Sequence, residues 1–435
     1  MIKRLTPSWS WLLLLVLVFQ VSLLPDILGM RGTARVANAI ALVTFLVASL
    51  VAALRVQHRT VSAAVFLLFV VPAGLVLLGY SINILRSVDL QTMGRLGMLL
   101  PWLAALSVPF MKSYSLEKSW LVFYRFMFIS SAVSCVEYWA VFSGILATTP
   151  IESVYGDFSR GIFTSYLRLA DGSPHFRMHG VFPEPGTLAM WLMPAIAYAL
   201  VFGKRAGLAV FTVALFLTHS LGGFASAVVL AGSFTWWRTR RPFVRVLMLV
   251  LLGAGVAYFL REYFLSAYVS KAGSASVRED NVFLFWRDLG AQIVNRPFGT
   301  PLVGRSLSDL AAVDRDYLGS DFAPYTALVI GGVSALIGYT AMITIALSAS
   351  IKYLARRHAD RLTACAFISL PPLLLFVVQR ATVFDSPLFA FLVAVPVLAV
   401  LRGEVAGTRR SGSASRPGDR PRRGIRENLP QELAG

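Results

Sequence analysis

The residues whose types and spacing could do chemistry in this 435-residue chain crowd into two segments, 147–185 and 261–324. His175 and His179 have the i,i+4 spacing of a zinc pair, but they follow Pro174 in a connecting segment and lack a third ligand of matching character, so no metal is expected. Asp314-Arg315-Asp316 offers two carboxylates of the kind that hold a divalent ion on a sugar-phosphate donor, and a solvated turn explains the same triplet. There is no Gly-x-Ser-x-Gly elbow, no His-Glu-x-x-His and no Walker loop, which removes the common hydrolases and ATP-driven transport.

The elements that must position these residues follow from composition. Apolar residues make up 57% of the chain and charged residues 14%, against about a quarter charged in a soluble domain. Twelve apolar runs are legible, at 9–28, 36–54, 62–85, 93–111, 120–146, 186–203, 206–219, 221–237, 243–260, 325–349, 362–379 and 387–401. The reading is an all-α polytopic membrane bundle of about 12 transmembrane helices with two large external loops, spanning 1–402. Residues 403–435 form a basic, disordered tail of Gly, Ser, Pro and Arg. The first run lacks a small-residue cleavage site and is a retained anchor. Cys135 and Cys365 both sit in apolar runs, so a disulfide framework is excluded.

The net charge of +18 would suggest nucleic acid in a soluble protein, but its distribution points elsewhere. With the N-terminus inside, the cytoplasmic segments hold 24 basic residues and the short outer loops five, namely Arg31, Arg35, Arg86, Arg95 and Arg380. That asymmetry places both termini in the cytoplasm. The two long segments are then external and close to neutral, which excludes a nucleic-acid surface and suits a folded lid or a site. Glu137 lies within the run 120–146, where an ionisable group costs several kcal/mol unless it meets a cavity or a partner. Either it lines a substrate path or it is a hydrogen-bonded structural glutamate.

Three stretches carry a family likeness. Arg177-Met178-His179-Gly180-Val181-Phe182-Pro183-Glu184-Pro185-Gly186 runs directly into Thr187-Leu188-Ala189-Met190-Trp191. Pro185 and Gly186 keep the helix from starting earlier, which holds Arg177 and Glu184 beside its first turn. Phe285-Trp286-Arg287-Asp288-Leu289 is followed by Ile293, Pro297-Phe298-Gly299 and Gly304, and Asp321 precedes Gly331-Gly332-Val333 and Gly338. Together these resemble the bacterial O-antigen ligase and polymerase superfamily over roughly residues 120–349. In its ligases a His-Asn pair stands about eleven residues before the glycine; this chain has Ser320-Asp321 there. The departure moves the resemblance toward the polysaccharide polymerases.

The resemblance implies a C-type glycosyltransferase-like membrane fold at the bacterial inner membrane, acting on undecaprenyl-diphosphate-linked oligosaccharide without a cofactor or a nucleotide-sugar donor. Membrane lipids are its surroundings, and a chain-length regulator and a flippase are the partners it implies. Negative charge builds on the diphosphate as the glycosidic bond breaks, and the planar, permanently charged guanidinium suits that leaving group. Arg177 and Arg287 are the expected diphosphate ligands, with Arg168 and Arg278 in reserve and His179 beside them. The acceptor hydroxyl must lose a proton to a nearby carboxylate, for which Asp321 is the expected base and Glu184 the runner-up. Duller roles compete: Arg177 as a partner of Glu184, Arg287 with Trp286 as an interfacial anchor, and Asp321 as an N-cap. A ligase of the same family and a lipid-linked oligosaccharide flippase or transporter remain as alternatives to a polymerase.

Overall fold

A computed structural model describes residues 70–86, 113–153, 156–168, 174–182, 184–239, most of 285–300, 323–355 and 361–379, with isolated positions between 243 and 254. In chain order the elements are α1 (Val71–Arg86), α2 (Ser113–Phe142), β1 (Thr149–Ser153), β2 (Gly156–Arg160), β3 (Thr164–Arg168), β4 (Pro174–Met178), α3 (Pro185–Phe202), α4 (Arg205–Leu217), α5 (Leu221–Arg238), α6 (Ala323–Ala355) and α7 (Arg361–Gln379). The described residues are mostly helical, and seven of the twelve apolar runs fall on these seven helices. Three helical stretches, Trp120–Phe142, Pro185–Phe202 and Pro324–Ser348, are long and apolar enough to cross a membrane. The runs at 9–28, 36–54, 93–111 and 387–401, nearly all of 243–260, and the tail from 403 lie outside the described residues.

One expectation changes. The segment 147–185, expected as a long external loop in an all-helical protein, carries a four-stranded antiparallel sheet in the order β1-β2-β3-β4. Each strand is five residues long and is joined to the next by a short connection, so every pairing is local. In the last pair Thr164 stands opposite Met178 and Ser165 opposite Arg177. Successive side chains alternate between faces, which buries Met178 and turns Arg177 to the other side.

α3 is the axis of the bundle. Pro185 occupies its first turn, where a missing N–H costs nothing, and Glu184 precedes it in extended backbone. Gly203 ends it in the left-handed conformation at φ 67°, a position that glycine takes without a Cβ penalty. Nearly every α3 side chain is buried, packed by α7, α4, α5 and α2. At the α4 end of this core, Tyr198 lies 4.9 Å from the Tyr124 ring and 4.4 Å from Phe202.

α1 and α6 form a second antiparallel pair, closed by small residues. Gly79 meets Gly331 and Ser334, while Gly338 meets the Pro72 carbonyl. Gly331 and Gly338 both lie against α1, where small residues allow the close approach. α6 is not continuous: Gly332 has φ 66° and ψ −161°, a conformation open only to glycine. Into that break fits the turn Pro297–Thr300. Thr300 N donates to Val329 O at 2.7 Å, and Val333 N donates to Pro297 O at 3.0 Å.

Gly332→Ala should therefore lower the thermal unfolding midpoint in detergent. The backbone strain alone is worth about 1–3 kcal/mol, and the added Cβ would press on Phe298 and Gly299. Gly290, with nothing within 4 Å of a Cβ, should accept alanine with no loss. Equal midpoints for the two variants would contradict the broken helix.

Candidate functional site

The sheet, the end of α2, the start of α3 and the turn between α4 and α5 meet at one end of the bundle. The turn is built locally. Thr218 Oγ1 donates back to Leu215 O, His219 takes φ 47°, and Ser220 caps α5 by accepting from Gly223 N at 3.2 Å. Closing a helix this abruptly leaves carbonyls at its C-terminus without intrahelical partners. Arg177 supplies donors: its Nε lies 3.2 Å from Thr218 O and its Nη2 3.4 Å from His219 O. The guanidinium thus sits at the negative end of the α4 dipole, held by backbone on a strand and by backbone on a helical turn.

Glu137 fastens the same sheet to α2. It is buried, at 7% exposure; one carboxyl oxygen accepts the Ile162 N–H at 2.9 Å and the other accepts the Thr164 hydroxyl. Gly161 lies so close to the carboxyl that a side chain there would collide with it. Of the two sequence readings, the hydrogen-bonded structural glutamate is the one these contacts describe. The β2–β3 hairpin is thereby pinned, which fixes β4 and hence Arg177.

His179 follows β4 and is 1% exposed. Its Nδ1 lies 2.8 Å from Phe182 O; a carbonyl only accepts, so Nδ1 carries the proton. Its own N–H bonds Phe163 O at 2.9 Å, tying the exit of the sheet to the β2–β3 turn. Glu184 is exposed at the start of α3, and its carbonyl receives Thr187 N and Leu188 N, both at 3.1 Å. Arg168 closes β3 opposite Pro174.

Arg287 lies on a different support. Helical residues run through 285–287, 289–291 and 293–295, with Arg287 and Trp286 exposed and Phe285 buried. Phe285 packs edge-on to Tyr325, with centroids 5.9 Å apart, in a cluster with Leu328 and Val329 of α6. Arg177 is therefore anchored on the α4–α5 turn and Arg287 on the first half of α6, and α5 and α6 touch each other. Asp321, Arg278 and the Asp314–Asp316 triplet lie outside the described residues.

The opposite end of the bundle has another character. Lys118 near the start of α2, Lys204 between α3 and α4, Arg205 at the start of α4, Arg238 at the end of α5 and Arg361 at the start of α7 are all exposed there. Among the described residues no three His, Cys, Asp or Glu side chains gather as a metal site.

Sequence reasoning missed the Thr218–Ser220 turn, Thr164 and Asn83 as parts of this architecture. The usable signals were the polar triplet Thr218-His219-Ser220 where the run 206–219 ends and a lone amide inside the run 62–85. No family model, no curated protein and no solved structure matches the chain.

Glu137→Ala leaves one N–H and one hydroxyl without their acceptor, a loss of about 1–3 kcal/mol. Limited proteolysis should then cut within 149–178 faster than in the parent, with cleavage elsewhere unchanged. Val133→Ala, on the exposed side of α2, is the control and should leave the sheet resistant; matching cleavage patterns for both variants would remove Glu137 from this role.

Proposed function

We propose that this protein is a membrane glycosyltransferase that joins undecaprenyl-diphosphate-linked oligosaccharide repeat units into a polysaccharide, an exopolysaccharide or O-antigen polymerase of the bacterial inner membrane. The reading rests on the resemblance of Arg177–Gly186, Phe285–Gly304 and Asp321–Gly338 to the O-antigen ligase and polymerase superfamily. The observation that carries it is the mounting of Arg177, whose guanidinium is oriented by two helix-terminal carbonyls at the end of the bundle where the sheet and α3 meet. A side chain positioned in this way suits a developing phosphate charge, because little reorganisation is needed when the charge appears.

The charge asymmetry supports the orientation. Lys118, Lys204, Arg205, Arg238 and Arg361 mark the end away from the sheet, and basic residues favour the cytoplasmic side. The sheet then faces outward, where lipid-linked repeat units are joined. In the proposed step the acceptor hydroxyl oxygen attacks the anomeric carbon, and the bond from that carbon to the diphosphate oxygen breaks. The hydroxyl proton passes to a carboxylate, Asp321 or, second, Glu184. The electron pair of the broken bond stays on the diphosphate, neutralised by Arg177 and Arg287, with Arg168 and Arg278 as further cations. His179, buried and bonded to Phe182 O, holds the exit of the sheet next to the donor.

A lipid-linked oligosaccharide flippase is the second reading, favoured by the break in α6, since discontinuous helices are common in transporters. The occupied state of the break, filled by Pro297–Thr300, weighs toward the enzyme. A ligase of the same family would differ only in the acceptor.

Arg177→Ala and Arg287→Ala, tested one at a time in cells making the polymer, should each reduce long-chain product per molecule of protein on the order of 10²-fold, the scale for removing one stabilising donor; the amount of protein should stay unchanged for Arg287→Ala and fall for Arg177→Ala, which also leaves the Thr218 and His219 carbonyls open. Purified parent protein in detergent, where no sidedness exists, should lengthen lipid-linked repeat units. Normal polymer from both variants would overturn the diphosphate roles, and absence of chain growth by active preparations would favour the flippase.

A further inference from the structure

The break in α6 lies nine residues into the helix, about 13 Å from its first residue at the usual 1.5 Å rise. A chain that leaves the helical path at that depth must satisfy its backbone groups from within the protein. The partners come from two places. The turn Pro297–Thr300 supplies Thr300 N to Val329 O and Pro297 O to Val333 N. α1 supplies Asn83, which is wholly buried and whose Nδ2 donates both to Ile330 O and, at 3.1 Å, to Thr300 O.

An amide that only glued two helices would bond the facing helix alone. Asn83 instead ties the freed carbonyl of α6 to the turn brought in by the external segment, so three separate parts of the chain meet on one side chain. Arg86, one turn further along α1, reinforces the seat: its Nη1 lies 3.4 Å from Gly299 O, and its guanidinium stands 5.6 Å above the Phe298 ring. Gly299, at φ 77°, has no room for a side chain against Val329 O and Ile330 O.

We infer that Asn83 is a positioning residue: with Arg86 it seats the Pro297–Thr300 turn in the broken α6 and thereby holds Arg287 in place for the diphosphate. Arg287 sits on a short helical stretch held against α6 by Phe285, Leu289 and Ile293 and by Arg296 Nη1, which donates to the Tyr325 hydroxyl at 3.2 Å, and the seated turn follows directly after it. Releasing the turn unfastens the C-terminal end of this stretch and loosens its seat on α6, which displaces Arg287. This role of Arg287 rests on the proposed glycan transfer; the seating itself does not.

Hydrogen exchange on the full-length protein in detergent, combined with chain elongation on lipid-linked repeat units, tests both halves. In Asn83→Leu the Thr300 and Val333 amides should exchange at least tenfold faster, while the β1–β4 amides keep the parent rate. Elongation kcat should fall roughly tenfold to 10²-fold with KM little changed, the pattern expected when a transition-state ligand is displaced by about an ångström. Asn83→Ser, which keeps one donor, should restore part of both and serves as the readable variant if the leucine protein is not produced. Ser334→Ala, which loses only a 3.4 Å bond to Gly331 O, should match the parent. Parent-like exchange in the Asn83 variants overturns the seating. Faster exchange with unchanged kcat overturns the positioning role. Faster exchange in a protein whose parent form does not elongate glycan leaves the seating intact and removes the proposed function.

Discussion

Backbone polar groups carried away from water must be paired inside the protein, and this requirement organises the described fold. An unbroken helix meets it alone. Among the described residues, the helical path is interrupted in the bundle at the Thr218–Ser220 reversal and at Gly332, and at each a long connecting segment brings donors to open carbonyls. Arg177 reaches the first from β4. Thr300, with Asn83 beside it, reaches the second from the 285–300 segment. The segments are consequently parts of the bundle.

This arrangement explains how a small sheet with five-residue strands can hold a charged side chain in one orientation. The sheet has few residues with which to build a core of its own. It borrows rigidity from α2 through Glu137, from the start of α3 through His179 and Phe182, and from the α4 terminus through Arg177. Two hydrogen bonds to Glu137 and two from Arg177 tie the sheet to the helices, and the His179–Phe182 bond stiffens the link into α3. The same groups that stabilise the sheet fix the guanidinium that the proposed chemistry uses, so structural and functional roles at this end are coupled.

The helices were legible in the sequence because apolar runs of this length have few other uses. The start of α3 was legible as well, from Pro185-Gly186, and it lies where the spacing put it. The sheet was not, since 147–185 has no long alternation of apolar and polar residues and its pairing depends on Glu137, which is remote in sequence from its partners. The break in α6 was half visible: Gly331-Gly332 and Pro297-Phe298-Gly299 stood out as motifs, but their contact spans more than thirty residues and no local pattern encodes it. Arg177 as a ligand of helix-terminal carbonyls likewise required knowing where α4 stops. Beside Arg287, Phe285 turns inward and Trp286 outward; which of the two neighbours packs on α6 depends on Tyr325, some forty residues away.

The account makes its strongest demand on the two arginines, which are held by different helices yet assigned to one lipid-carried diphosphate. A double-mutant cycle of elongation rates for Arg177→Ala, Arg287→Ala and the pair addresses it directly. Groups that grip the same leaving group act as a unit, so the paired substitution should cost little more than the worse single one, with a coupling energy of about 2–3 kcal/mol. Losses that simply multiply, leaving no coupling, would mean that the two side chains serve separate ends and that no shared diphosphate site exists.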